Sequence, residues 1–108
     1  MRQFIQSYDG NRFNSGVFQP SDYVCALALS AGVAQSMSVP NDAQMVIFSG
    51  TGDFWVRYNE DAEVPSASVM DGTASELNPT KRSLSGTTSI SVIAEANCKV
   101  SLAFFGLT

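Results

Sequence analysis

Residues 88–105 read TSISVIAEANCKVSLAFF and contain the clearest strand pattern in the chain. In the second half of this stretch, the apolar even positions from Cys98 to Phe104 alternate with the odd positions from Lys99 to Phe105. Successive side chains of a β-strand point to opposite faces, so this alternation indicates a strand with one buried face. The stretch therefore predicts two strands, at 88–95 and 98–105, separated by a turn at Ala96-Asn97.

Four similar runs lie upstream and are separated by turn residues. They are YVCALAL at 23–29, VAQSMSV at 33–39, QMVIFS at 44–49 and FWVRYN at 54–59. The sequence GTGD between the last two runs predicts that they form a hairpin. Ser21 or Asp22 could instead cap a helix over YVCALALSAGVAQ, but Gly32 and the alternation after it favour two strands.

The stretch from residue 60 to residue 87 is rich in loop signals. Pro65, Asp71-Gly72 and Asn78-Pro79 leave room for at most one or two short edge strands, and RSLS at 82–85 is one candidate. With about six firm strands and two weak ones, the chain is predicted to be all-β. The spacing is typical of an antiparallel β-sandwich or jelly roll of about 6–8 short strands, formed as a single domain by residues 23–108.

Residues 1–22 differ from the rest of the chain. They are polar, with turn signals at Asp9-Gly10 and at 14–16, and they predict an extended N-terminal arm. Four isolated aromatic residues on this arm need a surface to cover them: Phe4, Tyr8, Phe13 and Phe18. The arm could fold back on its own domain or reach a neighbouring subunit, and the sequence leaves both open.

The composition excludes several classes of partner. The 108 residues are 44% apolar and only 15% charged, and the net charge is −4. The six basic residues are scattered, which disfavours nucleic acid as a partner. No apolar run approaches the roughly 20 residues of a membrane span, and MRQFIQSYDG lacks the apolar core of a signal peptide. We therefore predict synthesis in the cytoplasm and no membrane partner.

The residues available for catalysis are few. The chain has no histidine, which excludes Ser-His-Asp and Cys-His nucleophile systems and most zinc sites. Cys25 and Cys98 lie inside apolar runs, where free cysteine behaves as a small buried hydrophobe. Glu60, Asp61 and Glu63 follow Asn59 and could supply oxygen ligands to calcium, but their spacing does not match an EF-hand, and a solvated acidic loop is preferred. We predict no enzymatic activity, no cofactor and no metal.

The only tryptophan of the chain lies in FWVRYN. Strand alternation places Phe54, Val56 and Tyr58 on one face and Trp55, Arg57 and Asn59 on the other. A ligand platform, a second buried layer and a protein interface each explain a tryptophan on the mostly polar face. Stacking on a sugar ring usually needs two or three exposed aromatics on one face. Trp55 and Arg57 are therefore predicted to lie in a protein interface or beneath the arm.

Three segments cover roughly residues 31–105: AGVAQSMSVPNDAQMVIFSGTGDFWVRYN, AEVPSASVMDGTASELNP and RSLSGTTSISVIAEANCKVSLAFF. Together they resemble small virion proteins of tailed bacteriophages. The most specific sequence patterns lie between Ala62 and Pro79 and between Thr88 and Phe104. These are patterns of composition and order, and no functional site of the family is matched.

The resemblance implies a structural role on the particle. Its first implication is a head decoration, or cement, protein that binds the capsid exterior and stabilises contacts between major capsid subunits. The expected partners are the major capsid protein and neighbouring copies of the chain, as a dimer or trimer on the particle. The interface residues would be the four arm aromatics, Trp55 and Arg57. A tail, fibre or head–tail joining component is one alternative, and a carbohydrate-binding β-sandwich module is another.

Overall fold

The computed structural model describes residues 20–106, and this part of the chain is all-β with no helix. Its eight strands are β1 (Tyr23–Leu29), β2 (Gln35–Ser38), β3 (Ala43–Gly50), β4 (Trp55–Tyr58), β5 (Glu76–Leu77), β6 (Lys81–Ser83), β7 (Ser89–Ile93) and β8 (Cys98–Gly106). They form two four-stranded sheets with the orders β1-β8-β3-β6 and β2-β7-β4-β5, and every pair is antiparallel. The predicted antiparallel β-sandwich is confirmed.

The two C-terminal strands lie at the centres of the two sheets. β8 pairs with β1 on one side and β3 on the other, and β7 lies between β2 and β4. Side chains of both strands point into the space between the sheets, where Ile90, Val92, Val100, Leu102 and Phe104 are fully buried. Residues 88–105 therefore supply the middle of the core from both sides, as their alternation predicts.

The predicted hairpin between residues 44–49 and 54–59 is wrong. β3 lies in the first sheet and β4 in the second, so the chain crosses from one sheet to the other after Gly50, over residues 51–54. Phe48 and Phe54 face each other across the core with ring centroids 6.1 Å apart. A Cβ atom on Gly50 would lie 2.7 Å from the Phe54 ring, so the crossover requires glycine at this position. Two runs with strong apolar faces bury more surface on opposite sheets than side by side in one.

Residues 21–36 form β1, a turn and the start of β2, so the helical alternative is excluded. β2 is shorter than predicted because Gly32 has a φ of 73° and its N–H donates to the carbonyl of Ala94 at 2.8 Å. Val33 lies in this turn and is 56% exposed, whereas Met37 and Val39 pack against the core. The two weak strands, β5 and β6, lie at sheet edges as predicted.

The two cysteines are free and do not meet. In the ladder between β1 and β8, Cys25 lies opposite Leu102 and Leu29 lies opposite Cys98. Four residues of strand separate the two thiols, a distance of about 14 Å, whereas a disulfide needs Cα atoms within about 7 Å. Both side chains pack against the core but are only partly buried, so they are less enclosed than the predicted small buried hydrophobes.

Candidate functional site: the Trp55 cleft

Trp55 lies on the outer face of the second sheet, as the strand alternation predicts. In the ladders its neighbours are Leu77 on β5 and Ile93 on β7. Ile93 is buried and Leu77 is exposed, so Trp55 stands between a covered and an open part of this face. The indole is half-buried, and its Nε1–H makes no hydrogen bond within residues 20–106.

A cleft of about 290 Å³ opens beside Trp55 at one end of the sandwich. We call it the Trp55 cleft. It is lined by Gly52, Asp53, Trp55, Leu77, Glu95, Ala96, Asn97 and Cys98. Among residues 20–106, this lining includes two carboxylates and no basic side chain, so these residues combine an aromatic wall with a formal charge of −2.

Hydrogen bonds to neighbouring loops fix two walls of the cleft. Asn78 donates from Nδ2 to Asp53 Oδ1 at 2.9 Å, and its own Oδ1 accepts from the Phe54 N–H at 2.9 Å. On the other side, Asn97 Oδ1 accepts from the Ala31 N–H at 2.8 Å. By contrast, the Glu95 carboxylate is exposed and has no ion pair or hydrogen bond to any residue between 20 and 106.

Arg57 shares the outer face with Trp55 but lies in different surroundings. It lines a separate cavity of about 110 Å³ together with residues of the β4–β5 connection, including Glu63 and Thr73. Hydrogen bonds from Thr73, with a smaller contribution from the charge of Arg57, lower the pKa of Asp71. The predicted pair of interface residues is therefore split: Trp55 lines the open cleft, and Arg57 lies against the connection.

The β4–β5 connection covers part of this face and forms the second layer that the sequence left open. Ala62 is buried, and its N–H donates to Oγ of Ser91 at 2.9 Å. Ser91 lies on the outer face of β7 and is only 2% exposed. Sequence reasoning missed Ser91, because a serine in an alternating strand normally indicates a solvated face.

Asn59 does not continue the face of Trp55. β4 ends at Tyr58, and Asn59 has a φ of 65°. Its Oδ1 accepts from the N–H groups of Thr88 and Ser89 at 2.7 and 3.2 Å and from the Thr88 hydroxyl at 3.1 Å. Its Nδ2 donates to the carbonyl of Gly86 at 3.1 Å. Asn59 is thus a turn residue that ties the end of β4 to the start of β7.

The acidic residues after β4 do not form a metal site in this structure. Glu60, Asp61 and Glu63 are exposed. Within residues 20–106, no three or more His, Cys, Asp or Glu side chains group closely enough to hold a metal ion. The four arm aromatics, Phe4, Tyr8, Phe13 and Phe18, lie outside the described residues, and their predicted interface role stays a prediction.

A charged cluster that the sequence did not indicate lies at one open side of the sandwich. Arg82 on β6 donates to Glu76 on β5, with Nη2 2.5 Å from Oε2, and Tyr58 donates its hydroxyl to Glu76 Oε1 at 3.0 Å. Arg82 and Tyr58 stabilise the charged carboxylate and lower the pKa of Glu76. Burial, together with the charge of Glu76, raises the pKa of Tyr58. The cluster links the edge strands of the two sheets.

The outer face of the first sheet carries an apolar row across three strands. Val24 on β1 lies opposite Ala103 on β8, which in turn lies opposite Ile47 on β3. Val24 is 56% exposed, and the other two are half-buried. We call these three residues the Val24 row.

No helix within residues 20–106 is long and apolar enough to cross a membrane. Comparison with known proteins found no matching family model, no matching curated protein and no matching solved structure.

Proposed function

We propose that the chain is a non-enzymatic structural virion protein, a head decoration protein that binds the capsid exterior and stabilises contacts between major capsid subunits. The observation that carries the proposal is the Val24 row, an apolar strip on the outer face of an antiparallel sheet. Outward apolar side chains aligned across several strands are typical of surfaces that another protein covers.

Two further properties support a role in assembly. Only 15% of the residues are charged, against about 25% in average globular proteins, so little charge must be desolvated when the surface is covered. Weak contacts of this kind become strong on a symmetric shell, because many copies bind together. The resemblance of residues 31–105 to small virion proteins of tailed bacteriophages agrees with these properties.

The first experiment measures stoichiometry. Particles are sedimented on a gradient, and copies of this chain are counted relative to the major capsid protein. A ratio near one to one, or a simple fraction such as one to three, is the expected result for a decoration protein. A dozen or fewer copies would instead support a tail, fibre or head–tail joining component, and absence from the particles would overturn the virion proposal.

A second experiment tests the surface. Val24→Asp places a charge in the Val24 row, and Ser36→Asp is its matched control at an exposed position on the other sheet. We expect Val24→Asp to lower occupancy on the particle by about tenfold or more and Ser36→Asp to leave it unchanged. Equal occupancy of the two folded variants would exclude the Val24 row as the contact surface.

The carbohydrate-binding alternative has less support from the geometry. Trp55 is the one aromatic residue among the described positions that line its cleft. Tyr58 packs against the core and donates to Glu76, so it does not extend a stacking platform. A flat row of aromatic rings for a sugar chain is not formed by residues 20–106.

A further inference from the structure

We propose that the Trp55 cleft binds a cationic side chain of a partner protein, and that the guanidinium group of an arginine suits it best. The inference deepens the proposed function and rests on it for the identity of the partner, which would be a neighbouring virion subunit. The binding chemistry itself belongs to this chain and can be measured without the particle.

The size of the cleft limits what can enter. At about 290 Å³, it lies at the lower end of the range for small-molecule pockets, roughly 300–1,000 Å³. It can accept a single side chain but not a folded segment. The occupant must therefore be recognised by one chemical group.

The charges in the cleft select that group. Asp53 and Glu95 provide two carboxylates on separate connections, and no Lys or Arg between residues 20 and 106 lines the cleft. Ionised carboxylates only accept hydrogen bonds, so they require a donor from the ligand. The Glu95 carboxylate has no partner within residues 20–106, and Asp53 uses only Oδ1 in its bond to Asn78. The cleft thus presents carboxylate oxygens of Asp53 and Glu95 that can still accept hydrogen bonds from a ligand.

The aromatic wall points to the same ligand. Tryptophan is the best aromatic partner for a cation, and such contacts contribute more when they are partly desolvated. Trp55 is half-buried, and the apolar Leu77 and Ile93 flank it. A guanidinium is planar, stacks on aromatic rings and donates two parallel hydrogen bonds to a carboxylate, which the ammonium of lysine cannot do. A neutral sugar would leave both carboxylate charges uncompensated.

Two basic residues of the described part of the chain, Arg57 and Lys99, line other cavities. Arg57 lines the separate cavity beneath the β4–β5 connection, and Lys99 lines a third cavity next to Leu29 and Thr51. The cleft therefore has no internal counter-ion among the described residues that line it.

The test uses the intact chain and its single tryptophan. Because Trp55 is the only tryptophan, its fluorescence reports directly on the cleft. The purified protein is titrated with N-acetyl-arginine amide and, separately, with N-acetyl-citrulline amide, a neutral ligand of nearly the same shape. We expect a saturable change with the arginine compound, and binding of the citrulline compound that is weaker by about fivefold or more.

A matched pair of variants assigns the effect to the cleft. Glu95→Gln removes one charge from the cleft, and Glu63→Gln removes one from an exposed carboxylate outside it. Both positions are exposed, so both variants are expected to fold. We expect Glu95→Gln to weaken binding of the arginine compound by about fivefold or more and Glu63→Gln to leave it unchanged.

Equal binding of the two compounds, or saturable binding of methyl glucoside alone, would overturn the proposal in favour of a neutral polar ligand. No saturable change with any compound would also overturn it. These outcomes are separable from the proposed function. Particle occupancy without arginine binding rejects only the cleft, and arginine binding without occupancy rejects only the virion role.

Discussion

Asn59 and Asn78 stand at the two ends of the short strand β4, and both have positive φ, 65° and 48°. This left-handed region is unfavourable for most side chains, and asparagine tolerates it better than other residues with a Cβ atom. Each amide also bonds to the backbone: Asn59 to residues 86–89 and Asn78 to Phe54. Conformation and hydrogen bonding thus select the same residue type at both ends of the strand.

Two substitutions separate the contribution of the Asn59 hydrogen bonds to stability from the contribution of its backbone conformation. Asn59→Ala removes the amide bonds and keeps a Cβ at positive φ, so we expect a loss of about 2–3 kcal/mol in the free energy of unfolding. Asn59→Gly removes the same bonds without the steric conflict and should cost about 1 kcal/mol less. Urea denaturation measures both, with Asn41→Ala as an exposed control. Equal losses for Ala and Gly would contradict a conformational role.

Glu76 makes stability depend on pH. Its folded-state pKa lies below the ordinary value of 4.5, so the stabilisation by its charge is complete above that value and is lost as the pH falls through the folded-state pKa. Its side chain is 37% exposed, which limits the effect through solvent screening. We expect Glu76→Gln to lower the free energy of unfolding by about 1 kcal/mol at pH 7.

Unfolding of the wild type and Glu76→Gln at acid pH tests whether the charge of Glu76 causes this difference in stability. The difference between the wild type and Glu76→Gln should shrink as the pH falls below 4.5 and through the lowered pKa of Glu76, because the wild-type carboxyl then becomes protonated as well. Glu63→Gln is the control at an exposed position and should show no such trend, because the Glu63 carboxyl makes no hydrogen bond or ion pair with any residue between 20 and 106. A difference that is constant with pH would show that charge at Glu76 does not stabilise the fold.

At the scale of the elements, the β4–β5 connection depends on Ser91. The hydroxyl of Ser91 is the acceptor for the buried N–H of Ala62, and an unpaired buried N–H is costly. We expect Ser91→Ala to destabilise the fold by about 1–3 kcal/mol and to increase amide exchange at Ala62. Ser89→Ala, on the same face of β7, is the control and should change stability by less than about 0.5 kcal/mol. Unchanged exchange at Ala62 would contradict this role.

The strands could be predicted from the sequence much better than their partners. Alternation located β1, β3, β4 and β8 to within a residue or two, because burial of one face is a local property of a strand. The partners of a strand depend on distant residues, so GTGD predicts a hairpin turn although the chain crosses between the sheets there. A short connection between two strands can form either a hairpin within one sheet or a crossover between two sheets. Only the packing of the two apolar faces decides between these arrangements.

For the candidate site, too, the sequence predicts the position of a residue on its strand but not the residues that it meets. Alternation placed Trp55 on the outer face, which is correct. Leu77 and residues 95–98 are brought beside it by the pairing of Trp55 with Leu77 and Ile93, which lie 22 and 38 positions away in the sequence. No local pattern marks these residues, so the cleft is a product of the topology.

At the scale of the whole molecule, both sheets depend on the last strands of the described chain. Leu102 is fully buried at the centre of β8, between β1 and β3. We expect Leu102→Ala to cost about 2–5 kcal/mol, a large part of the 5–15 kcal/mol of a typical domain. Ser101→Ala, on the opposite face of the same strand, is the control in thermal and urea denaturation. Similar losses for the two variants would contradict a core centred on β8.

The central positions of β7 and β8 also determine when the protein can fold during translation. At about 5–20 residues per second, the ribosome needs roughly 3–14 s to add the 69 residues that separate Leu29 from Cys98. Throughout that interval β1 lacks its partner β8, and β3 lacks it from the addition of Gly50 onward, so the apolar residues of both strands are available to chaperones or to aggregation. Nascent chains arrested with residue 97 outside the ribosome should be cut readily by protease, and chains extended past Gly106 should resist it. Slow translation therefore lengthens the period in which this protein is vulnerable, and the last two strands end that period in one step.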